Sequence, residues 1–98
     1  MTNEETFVKR WPEFFREAFD VNIQERWKAL LWHLCAAVEN ELIRAGRPLE
    51  HFKIHQIKDK FGSLRFYCSV VGEDNELDRT VREIYSLVEL AVGKSYEL

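Results

Sequence analysis

Lys58, Lys60, Phe61, Arg65 and Tyr67 lie within ten positions of one another, and they are the residues whose types and spacing could do chemistry. That chemistry is recognition. Lys and Arg supply charge for a phosphate or a carboxylate, while Tyr and Arg are favoured anchors of protein interfaces. The same stretch holds His55 and Asp59, so an acid–base reading with His55, Tyr67 and Arg65 also exists. It ranks last, because catalysis needs such groups in a cleft that excludes water, and they would sit here on an open strand face. We expect no enzyme and assign no catalytic residue.

Metal chemistry fares no better. His51 and His55 are four apart, a chelating distance on a helix, but on a strand at ~3.3 Å per residue they stand about 13 Å apart. No Cys pair or carboxylate cluster accompanies them, so neither a metal nor a cofactor is expected. The two cysteines, Cys35 and Cys68, fall at core positions of a helix and a strand and read as reduced thiols. His33, on the flank of a helical stripe, reads as a surface or hydrogen-bonded histidine.

The element that must position the five residues runs from His51 to Val71, which reads as one β-hairpin. Asp59-Lys60-Phe61-Gly62 has Asp first and Gly fourth, the preference of a type I turn closed by a left-handed glycine bulge. A three-residue loop of Lys60, Phe61 and Gly62 then places Asp59 opposite Ser63, Lys58 opposite Leu64, Gln56 opposite Phe66, Ile54 opposite Cys68 and Phe52 opposite Val70. The last four of those pairs form the expected buried face. Lys53, His55, Ile57, Asp59, Ser63, Arg65, Tyr67 and Ser69 form the outward one, with His55 opposite Tyr67. A two-residue Gly62-Ser63 turn is set aside, since it would bury Asp59 and His55. A two-stranded sheet with both edges open is marginal, so a third strand is expected from the N-terminal region or from a partner.

Helical sequence flanks the hairpin. Pro12 suits a first helical turn, which predicts a short helix over about 12–18. Asn22 with Glu25 resembles a capping box, and Gly46 with Pro48 a stop. Between them Ile23, Trp27, Leu30, Leu31, Leu34, Val38 and Leu42 make one stripe on a rod of roughly 34 Å at ~1.5 Å per residue. Trp32, Ala36 and Ile43 lie on its other side. The aromatic N-terminal segment, with Phe7, Trp11, Phe14, Phe15 and Phe19, is expected to cover them. A homodimer through the Trp32 and Ile43 face, or through an open hairpin edge, is the alternative. After the hairpin, Asp74 or Asn75 can cap a final helix whose stripe is Leu77, Val81, Ile84, Tyr85, Val88, Ala91 and Val92, with Gly93 as its stop. The expected fold is α+β: short N-terminal helix, long helix, antiparallel hairpin and C-terminal helix, with the helices on one face of the hairpin.

The string Lys58-Asp59-Lys60-Phe61-Gly62-Ser63-Leu64-Arg65-Phe66-Tyr67 resembles a motif in a family of small uncharacterised proteins of tailed bacteriophages and bacterial prophages. In that family a Trp-containing helix precedes the hairpin and an acidic helix follows; Trp27, Trp32 and 77–92 fit that order. The resemblance covers roughly residues 25–95 and carries over no activity. Many relatives continue into a Cys-x-x-Cys zinc ribbon past the position matching Ser95, which this chain lacks, so no zinc-dependent role is carried over. What the resemblance implies is a context, the cytoplasm of a bacterial host.

The 98 residues suit a single domain, 1–98, and 46% hydrophobic content with seven Phe, three Trp and three Tyr is that of a folded one. The acidic start lacks an apolar run and no stretch reaches the ~20 apolar residues of a membrane span, so neither a secretory leader nor a membrane partner is expected. Net charge is −3 and unevenly spread. Residues 51–71 set Lys53, Lys58, Lys60 and Arg65 against Asp59 alone, a net +3 that leaves −6 elsewhere. That acidic body weighs against nucleic acid as the partner of the basic hairpin, which nevertheless ranks second. A protein partner ranks first: Lys58, Lys60, Phe61, Arg65 and Tyr67 are the expected contacts, with Ile57 beside them. By analogy with phage proteins that occlude host or defence proteins, and with immunity proteins, the role is inhibition or modulation.

Overall fold

The computed structural model describes residues 1–72 and 78–98. Its order is α1 (Asn3–Arg10), α2 (Pro12–Phe15), β1 (Asp20–Val21), a 3-10 turn (Glu25–Trp27), α3 (Lys28–Arg44), a 3-10 turn (Leu49–His51), β2 (Phe52–Lys60), β3 (Ser63–Val70) and α4 (Arg79–Ser95). The class is α+β, as expected, but the sheet is more than a hairpin: its order is β1-β2-β3, and β1 runs parallel to β2.

At the N-terminus, the Thr2 hydroxyl accepts the Glu5 N–H at 3.1 Å and caps α1, with Glu4 and Glu5 in its first turn and Lys9 and Arg10 in its last. Those charges oppose the helix dipole favourably. Pro12 starts α2 separately. Phe7, Trp11 and Phe14 are fully buried, and Phe7 and Trp11 meet the Trp32 ring at 5.1 and 4.6 Å between centroids. The N-terminal aromatics therefore do cover Trp32, while Ile43 stays 63% exposed.

The segment that follows supplies the third strand. Phe19 donates to the His55 carbonyl at 3.1 Å and Asn22 to that of Ile57 at 2.8 Å, bracketing the pairs Asp20–Gln56 and Val21–Ile57. This overturns the expected capping box. The Asn22 N–H is held by β2, and the Glu25 carboxylate accepts from the Asn3 amide at 2.9 Å. Both cap partners are drawn into tertiary contacts, so α3 begins only at Lys28, after a 3-10 turn, and runs for 17 residues.

Gly46 ends α3 as expected. At φ 69° it donates to the Ile43 carbonyl at 3.0 Å while Arg47 donates to that of Leu42 at 2.9 Å, the paired bonds of a Schellman stop. Arg47 then reaches Asp78, which is 7% exposed, at 2.9 Å. Asp78 also accepts the Val81 N–H at 3.2 Å and so caps α4. The expected caps Asp74 and Asn75, and Leu77 of the stripe, lie outside the described residues. Thr80, Val81, Ile84, Val88 and Ala91 face inward. Two expectations here are corrected: Tyr85 is 37% exposed, and α4 continues past Gly93 to Ser95.

The hairpin register differs from expectation in its outer half. The loop has two residues, Phe61 and Gly62 at φ 55° and 84°, so Lys60 faces Ser63, Asp59 faces Leu64, Lys58 faces Arg65 and Ile57 faces Phe66. Positive φ at both positions is the type I′ arrangement, whose twist matches that of paired strands. The extra residue is absorbed at His55, a β-bulge between Ile54 and Gln56 at the level where β1 joins. Beyond it Ile54 faces Cys68 and Phe52 faces Val70, as expected. One cluster joins Phe52, Ile54, Ile57 and Leu64 to Leu31, Leu34, Val38, Ile84 and Val88 of the helices.

Candidate functional site on the outer face of the hairpin

The bulge decides which side chains of β2 look outward. Ile57, expected among the contacts, is 1% exposed and belongs to the core. Gln56 and Lys58, expected inside, share the outer face with their cross-strand partners Tyr67 and Arg65. β3 carries no bulge, so Arg65 and Tyr67 point outward as expected; Arg65 is exposed and Tyr67 is 48% exposed.

The structure brings together four of the five residues on one face, Lys58, Lys60, Arg65 and Tyr67, and sets the fifth, Phe61, at the tip. Lys58 stands directly opposite Arg65. Like charges in that relationship destabilise a sheet. Among the described residues no carboxylate forms an ion pair with Lys58, Lys60 or Arg65. The cations that are neutralised lie at the margins: Lys53 pairs with Glu17 at 3.0 Å, and Arg26 with Asp59 at 3.4 Å. The hydrogen bond from Lys53 holds the Glu17 carboxyl below its ordinary range. Asp59, the one acid of the hairpin, is on the other face and also accepts the Gly62 N–H at 2.8 Å.

Phe61 is 97% exposed with its backbone in the left-handed region. That region disfavours residues other than Gly, Asn and Asp, and the turn gains nothing from the ring. A residue that serves neither the turn nor the core is the kind of local inconsistency found at functional positions.

Comparison with family models, with curated proteins and with solved structures finds no match.

The acid–base constellation is not assembled. Gln56, not His55, faces Tyr67; the His55 ring is 2.9 Å from the Ser69 hydroxyl; and Asp59 has turned to Arg26. Among the described residues no group of three or more His, Cys, Asp and Glu converges as a metal site would. Burial pushes the Cys35 thiol well up and that of Cys68 up to about 12, so neither is a thiolate nucleophile at neutral pH. A cleft of about 460 Å³ lined by Thr6, Glu25, Lys28, Ala29, Trp32 and His33 includes no hairpin residue. No helix among the described residues is long and apolar enough to cross a membrane.

Sequence reasoning missed Arg26, Glu17 and Asp20, which tie the margins of this face; each lies more than thirty positions from its partner. It also missed the bulge, although the signal was present. Two isoleucines three apart share a face of a period-two strand only if one extra residue is inserted, so an apolar Ile57 set on the outward face was the clue.

Proposed function

We propose that this chain is a non-enzymatic binding module that holds a macromolecular partner, a protein, on the outer face and tip of the β2–β3 hairpin. The observation that carries the reading is the Lys58–Arg65 pair, two cations held opposite each other with no acid between them. A partner's carboxylates would relieve that repulsion, and Phe61 and Tyr67 add apolar contact area beside it. The motif's resemblance to phage and prophage proteins supports a partner in the bacterial cytoplasm, a host or defence protein that the module inhibits or modulates.

The test is affinity capture from bacterial lysate with the wild-type chain beside Lys58→Glu/Arg65→Glu and Phe61→Ala variants. A protein retained by the wild type and lost by both variants supports the reading. Equal retention by all three overturns it. Nucleic acid is the competing occupant: a complex with DNA or RNA at about 50 mM salt that weakens steeply as salt rises would replace the protein by a phosphate backbone.

A further inference from the structure

We propose that the outer edge of β3 takes an extended acidic segment of the partner as the next strand of the sheet, with its carboxylates over Arg65. This rests on the reading above and names how the partner is held.

Three observations converge on that edge. The first is its hydrogen-bonding phase. Val71 donates to the His51 carbonyl across the hairpin at 2.8 Å, and strand alternation then turns the backbone groups of Ser69, Tyr67, Arg65 and Ser63 toward β2. Those of Leu64, Phe66, Cys68 and Val70 point the other way, where among the described residues no strand lies. The second is burial. Phe52, Ile54 and Ile57 of β2 are 0–1% exposed, whereas their partners Val70, Cys68 and Phe66, on the same inward face, are only half-buried. The inward face is therefore more open to solvent along β3 than along β2. The third is the lack of three usual defences, charge at Arg65 being the one that β3 does carry. Edge strands are commonly shortened, bulged or broken by proline, but β3 is eight residues long, carries no Pro, and the bulge belongs to β2.

Charge selects the occupant. A strand laid on this edge places its outward side chains beside Ser63, Arg65, Tyr67 and Ser69, with Lys58 directly behind Arg65. Acids at alternate positions would lie beside Arg65, with Lys58 one strand further, and the apolar residues between them would fall on the inward face beside the half-buried Phe66, Cys68 and Val70. A second copy of β3 would bring its own Lys58, Lys60 and Arg65 to the same face and add to the unbalanced charge. A nucleic acid answers the cations but presents no alternating row of N–H and C=O groups.

The experiment is amide hydrogen exchange by NMR on the full chain, with three probes: a capped peptide of about eight residues alternating Glu and Val, its Lys–Val counterpart, and oligothymidylate. The Glu–Val peptide at millimolar concentration should slow exchange at Leu64, Phe66, Cys68 and Val70 by about tenfold or more. The Lys–Val peptide should not, and Lys58→Glu/Arg65→Glu, with a native spectrum elsewhere, should abolish the effect. Unchanged exchange at those four amides overturns strand addition, whether the peptide fails to bind or merely shifts the Lys58 and Arg65 signals. Tighter binding of oligothymidylate than of the acidic peptide overturns it in favour of phosphate. If the charge-reversed variant loses a captured protein while that protein leaves the four amides unprotected, the contact face stands and only strand addition falls.

Discussion

Ile54 and Ile57 stand three apart on one strand, yet both are sealed into the core at 0% and 1% exposure. They share a face because His55 bulges between them, and the same bulge turns Lys58 outward to face Arg65. The core and the candidate contact surface are thus two outcomes of one inserted residue.

Ile57→Ala should therefore behave as a core truncation. We expect a loss of about 3 kcal/mol, similar to Ile54→Ala, read as a shift of the urea midpoint at constant slope. A change below about 0.5 kcal/mol, the range of surface substitutions, would mean that Ile57 faces water and that the bulge is absent.

Phe61 offers the opposite case. Asn suits the first central position of a type I′ turn better than Phe, so Phe61→Asn should stabilise the protein by about 1 kcal/mol, or roughly 4–8 °C in Tm. The same substitution should weaken partner capture. A variant that is less stable than the wild type would show that the ring supports the turn.

Two glycines should differ in kind. Gly46 has open space around it and would cost Ala only its left-handed backbone, about 1 kcal/mol. At Gly72, with φ 152°, a Cβ would overlap the Asp78 carboxylate, lie 2.7 Å from Val81 Cγ2 and press on Arg47. Gly72→Ala should cost at least about 2 kcal/mol and loosen the Arg47–Asp78 pair, with thermal melts of the two variants as the comparison.

The buried thiols predict weakening in alkali. An unfolded cysteine ionises near about 8.5, while burial holds Cys68 un-ionised up to about 12. A raised pKa favours the fold fully below the unfolded value and loses that benefit as pH climbs toward the folded one. Stability should fall from about pH 8.5 upward, more gently in Cys68→Ala. At pH 8 the native thiol should react with iodoacetamide about a thousandfold more slowly than the unfolded chain; equal rates would contradict the burial.

Much of the fold is written in local pattern. The stripe from Leu31 to Leu42, the stop at Gly46 and the alternation of Leu64, Phe66, Cys68 and Val70 follow from periodicity and backbone preference alone. So does the position of Arg65 and Tyr67 on the solvent side, since β3 is regular from end to end.

Contacts between distant residues decided the remainder. Period-two alternation required an extra residue somewhere in the hairpin, but only the bonds from Phe19 and Asn22 to β2 show where the chain absorbs it, at His55 and not in the turn. The Asn22 N–H is taken by the same bond, and the bulge turned Asp59 to the other face, where Arg26 reaches it across 33 positions. Side-chain types determined that this protein would have a basic, aromatic hairpin; long-range hydrogen bonds determined which of those side chains stand together.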